Sequence, residues 1–155
     1  MNYHILWGAH IALGTAGLIL GPVAMFTRKR AGWHTKAGEF YHWVMLSICI
    51  TGAAMAIREW SRLWHFFFIA LGSYAFALGG YLSAKIRWHG WLKVHVSAQV
   101  GSYIALVTAV LTTNWKTLLG PSVNSFWGWI LPALIGTSII GWIQREMAMG
   151  RRPKL

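Results

Sequence analysis

In 155 residues only three side chains are acidic, charged residues make up 11% and hydrophobic ones 56%. A soluble domain carries roughly 25% charged residues, so the composition excludes an ordinary water-soluble globule and fits helices whose flanks face lipid. The formal net charge of +11 does not indicate a nucleic-acid binder, because the basic residues fall in short clusters between long apolar runs.

A helix needs about 20 apolar residues to cross the hydrocarbon. The apolar runs here are continuous, without period-two alternation, so helices are the spanning element. The first run, residues 3–27, follows a start with no basic stretch and no small-residue cleavage site, and reads as a retained helix, not a signal peptide. Its loop carries Arg28, Lys29, Arg30 and Lys36. The second run, residues 40–57, is the shortest and contains Cys49, the single cysteine, which excludes an intramolecular disulfide and a cysteine metal site. Arg58 and Arg62, offset in part by Glu59, follow it. The third run, residues 63–84, leads into Lys85, Arg87 and Lys93; the fourth, residues 94–115, leads into Lys116 alone. Residues 117–144 include a turn at Gly120-Pro121-Ser122, so the fifth helix is expected from about 124 to 144, ahead of Arg145, Arg151, Arg152 and Lys154. Strongly and weakly basic connections alternate, which predicts five spans with the amino terminus outside and the carboxyl terminus in the cytoplasm. All eleven tryptophans lie near span ends, as an interfacial aromatic belt requires.

An offset of fifty-five positions lays the first helix and its loop over the third. His10 falls on His65, Gly17 on Gly72, Arg30 on Lys85, and Trp33-His34 on Trp88-His89. This predicts a parallel repeat, a helical hairpin used twice, with the fifth helix outside it.

Ionisable residues within spans usually face a bundle interior and mark function. At 1.5 Å rise per residue, His10 and His65 each stand roughly 30 Å from a basic residue of the inner face, near the outer boundary. His42 and His95 lie near the inner one. In an up-down four-helix bundle the first and third helices are diagonal, as are the second and fourth. The histidines therefore form two diagonal pairs, His10 with His65 and His42 with His95, each suited to hold a haem iron between opposed imidazoles. Gly14 and Gly17 on the first helix and Gly72 on the third offer room for a macrocycle. Such residues also serve plain helix packing, and an interfacial histidine also serves as a headgroup anchor. His34 and His89 are expected in loops, either solvated or, with Lys36 and Lys93, touching a substrate.

The four-histidine diagonal pattern over residues 3–115 resembles the transmembrane di-haem cytochromes b of the ascorbate-dependent and ferric-reductase type. The resemblance implies two haems b, His10 and His65 as the outer ligands, and His42 and His95 as the inner ones. This chain departs from it in its minimal outer loops and in one added helix instead of two. Three local strings are also similar to a family of uncharacterised small bacterial membrane proteins: His10 with the glycine-rich run to Gly21-Pro22, His34-x-x-x-Gly38-x-x-Tyr41, and His89-Gly90-Trp91-Leu92-Lys93. That family carries Arg after the second and third histidines, where Thr35 and Gly90 stand here.

The expectation is an all-α integral membrane protein forming a single membrane domain over residues 1–155. It has a four-helix up-down core (residues 3–115) and one peripheral transmembrane helix, in a bacterial inner (cytoplasmic) membrane. Its expected function is a di-haem b-type cytochrome carrying electrons, an oxidoreductase if a quinol or other small reductant is its substrate. Membrane lipid and a small redox partner are the expected partners, with a homo-oligomer left open. The rival reading is a haem-free protein that binds or transports a metal ion through His34, His42, His89 and His95, since imidazole suits zinc, copper, iron and nickel.

Overall fold

A computed structural model describes residues 3–28, 32–120 and 122–150. It contains five α-helices: α1 Tyr3–Phe26, α2 Trp33–Arg58, α3 Trp60–Ile86, α4 Trp91–Leu119 and α5 Phe126–Ala148. All five are long and apolar enough to cross a membrane. With no solvent inside a bilayer to satisfy backbone N–H and C=O groups, a run of this kind closes its hydrogen bonds within itself.

The helices overrun the apolar stretches. α2 begins at Trp33, seven residues before the second run, and carries Lys36 and Glu39 within its first two turns. The connection expected at residues 58–62 shrinks to Glu59 alone, between Arg58 and Trp60. α3, with 27 residues, is about 40 Å long by the helical rise, the thickness of a bilayer with its headgroup layers. Charges inside the helical segments therefore mark where a helix leaves hydrocarbon, not where it stops. At the connections flanking α4 the chain turns through residues of positive φ: Arg87 (φ 56°) closes α3, Gly90 (φ 81°) opens α4 and Gly120 (φ 95°) follows it.

Each helix packs on its neighbours in sequence, and α1 also meets α4 along a narrower seam. That seam closes where side chains are missing. A Cβ on Gly21 would overlap the ring of Tyr103, whose hydroxyl donates to the Leu18 carbonyl at 3.2 Å. Across α4, Gly136 of α5 leaves the space that Ile104 fills. The core is Tyr41, Met45, Ile48 and Cys49 of α2 with Ala77 of α3 and Leu106 of α4, joined by Leu13, Leu18 and Leu20 of α1. α2 is thus the buried centre. Large apolar side chains nevertheless face outward on every side, among them Ile19, Ile50 of α2 itself, Phe76 and Ile135. An apolar surface this extensive would drive association in water; lipid is its natural solvent.

Candidate functional site

The connections after α1 and α3 and the end of α5 gather Arg28, Lys36, Lys85, Arg87, Lys93 and Arg145 at one end of the molecule, here called the basic end. The far end carries the α2–α3 junction and the connection from α4 to α5.

At the basic end His34 is the second residue of α2, so it is helical and not in the loop where the sequence placed it. Its Nδ1 lies 2.7 Å from the carbonyl of Ala24, in the last turn of α1. The last carbonyls of a helix have no partner within it, and the imidazole supplies one. His95 sits in the second turn of α4 with its Nδ1 2.8 Å from the carbonyl of Gly80 on α3. The absence of a side chain at Gly80 also admits Gln99 of α4. A carbonyl only accepts, so in both contacts the imidazole Nδ1–H is the donor. The two rings meet at 6.4 Å between centroids, with planes 78° apart.

His42 occupies the same end but faces another surrounding. It is buried, 5% exposed, and its ring stacks on Tyr81 at 4.1 Å and 13°. Its Nδ1 has no hydrogen-bond partner among the described residues. Tyr81 donates its hydroxyl to Glu39 at 3.0 Å, and Glu39 forms an ion pair with Lys85. Deeper in the core, Tyr41 donates to the Ser102 hydroxyl at 3.0 Å, since that hydroxyl already donates to the Gln99 carbonyl at 2.8 Å.

The far-end histidines have separate partners. His10 Nδ1 lies 2.9 Å from Thr51 Oγ1 on α2. Thr51 spends its own proton on the carbonyls of Ser47 and Ile48, so it accepts from His10. The His65 ring lies 6.4 Å from Trp129 of α5, turned toward the fifth helix. Among the described residues no ring contact joins His10 to His65 or His42 to His95; the histidines that meet are His34 and His95.

The remaining expected site residues scatter. Gly17 is a packing position, where a Cβ would lie 3.0 Å from Leu106 and 3.1 Å from Ile48. Gly14 is buried with nothing within 4 Å of an added Cβ. Gly72 is exposed and shares with Lys93 a groove against α4 and α5. Lys36 lies over the Trp33 ring at 5.9 Å, and His89 is in the exposed turn before α4. No cluster of three or more His, Cys, Asp or Glu side chains suited to a metal ion occurs among the described residues. Sequence reasoning missed Tyr81 and Glu39 as neighbours of His42, and the carbonyls of Ala24 and Gly80. Only the presence of Glu39, one of the chain's three acidic residues, within the start of a span would have pointed to them.

Comparison with known protein families, curated proteins and solved structures finds no match. The fold defines a class, a multi-pass helical membrane protein.

Proposed function

We propose that this chain is a small membrane electron-transfer protein that holds haem b at its basic end, between His34 and His95, with that end facing the cytoplasm and the amino terminus outside. The observation that carries the reading is the meeting of these two imidazoles. Metal–nitrogen bonds of about 2.0–2.1 Å put the centroids of two opposed imidazoles roughly 6 Å apart, and these stand at 6.4 Å. In both rings a backbone carbonyl holds the other nitrogen, the outer-shell bond that fixes tautomer and orientation in metal-ligating histidines. The ring separation and the two carbonyl bonds are what support this placement. At the far end His10 and His65 have different partners, so this reading assigns no haem there and one at the basic end.

Haem ligated by two histidines supplies one-electron chemistry and leaves no open position for oxygen. In this reading His34 and His95 would hold it, and Arg28 and Lys36 would pair with its carboxylates. A quinol or another small reductant is the partner class that suits a membrane carrier of this kind.

Protein purified from haem-replete cells should show a Soret band and, on reduction, the sharp α and β bands of low-spin iron. A colourless preparation with stoichiometric zinc or copper would favour the second reading, a haem-free metal site. The same His34–His95 separation supports it, with His42 on the same end of α2. Orientation has its own test: a reporter fused after Leu155 should be cytoplasmic and one inserted near Gly120 external.

A further inference from the structure

α3 and α5 both pack on α4 but do not pack on each other. They approach through ring contacts at the far end, where His65 and Phe66 of α3 lie 6.4 and 6.1 Å from Trp129 of α5. Between the two helices a groove runs over α4. Its wider part, about 640 Å³, is walled by Gly72 and Gly79 of α3 and Gln144 of α5, with Lys93 and Ala98 on the floor. A further 410 Å³ continues beyond Phe76 and Ser97 as far as Ala109 and Trp129. From Lys93 to Ala109 the floor runs about 24 Å at the helical rise, more than one hydrocarbon leaflet of about 15 Å.

The groove's polar groups are already used. Gln144 donates its amide to the Lys93 carbonyl at 2.9 Å and to the Ser97 hydroxyl at 2.6 Å, which ties α5 to α4 across the floor. What remains is an apolar trough that reaches Trp129 at one end and the exposed Lys93 at the other, with Arg145 next to Gln144.

We propose that this groove is a binding site for one anionic phospholipid, its acyl chain lying along α4 and its phosphate held by Lys93. Basic pockets between membrane helices recognise such headgroups. A second copy of the chain suits the groove poorly, because copies inserted in the same direction would bring basic end against basic end at a net charge of +11. The site is independent of haem and stands or falls apart from it.

Native mass spectrometry of the full chain, equilibrated with equal amounts of phosphatidylglycerol and phosphatidylcholine, tests the proposal. The wild type should retain one phosphatidylglycerol, favoured about fivefold over phosphatidylcholine, the weight of one lysine near a lipid surface. Lys93→Gln should bring that preference close to one. Gly72→Leu with Gly79→Leu should remove both adducts; a Cβ at either position meets nothing within 4 Å, so the helices keep their packing. Equal retention of the two lipids by the wild type would overturn the proposal. So would phosphatidylglycerol that survives the double leucine variant, or a dimer in place of the lipid adduct.

Discussion

The two ends of this bundle have the same raw material and use it differently. Each has histidines at matched depth on alternate helices. At the basic end two of them, His34 and His95, meet, and backbone carbonyls pin both. At the far end His10 is bound to Thr51 of α2, while His65 turns away to Trp129 of α5. Depth along a helix comes from the rise, but partnership also needs the direction around it, and neighbouring helices set that. At the far end Thr51 of the neighbouring α2 holds His10, and the fifth helix offers His65 an aromatic ring.

The largest effect that would sharpen this contrast belongs to Gly80. Its carbonyl holds His95, and a Cβ there would lie 2.8 Å from Gln99. Gly80→Leu should push α3 from α4, cost about 1–3 kcal/mol as overpacking, and abolish haem binding. Gly72→Leu, also on α3 but in open space, should leave the Soret band intact. Haem loss of the same degree in both variants would erase the distinction. A smaller effect is expected from Thr51→Val, which removes the acceptor of His10. Unfolding in detergent should show a loss of about 1 kcal/mol, the ordinary worth of one hydrogen bond, with the visible spectrum unchanged. A spectral change would mean that His10 touches the haem after all. The smallest belongs to Lys85→Ala. Its ion pair with Glu39 is solvated, with side chains 50% and 33% exposed, and such pairs add little. The unfolding midpoint should not move measurably, and a clear drop would give the network beside His42 a larger structural part.

Much of the fold was legible because the bilayer imposes it. Five charge-poor runs gave five helices, and Gly120-Pro121 marked the last turn. The element ends were not legible. Lys36 and Glu39 look like loop residues in a hydropathy reading, yet they are helical, because a helix continues into the headgroup layer where its charges are solvated. The same error put His34 in a loop and hid it as a partner for His95. Depth placed His42 and His95 at one end, but the stacking of His42 on Tyr81 depends on a helix 39 positions further on in the chain, and no local pattern encodes that. The carbonyls of Ala24 and Gly80 have no side-chain signature at all; only three-dimensional packing shows that they hold imidazoles.

The account rests on His34 and His95 sharing one iron. The most direct measurement is the haem-to-protein ratio of four single variants, His34→Ala, His95→Ala, His10→Ala and His65→Ala, purified alike from haem-replete cells, with the spin state read from the reduced spectrum. His34→Ala and His95→Ala should each lose the low-spin bands and most of the haem, while His10→Ala and His65→Ala keep the wild-type ratio. Full haem retention in His34→Ala, or loss in His10→Ala and His65→Ala together, would contradict the assignment.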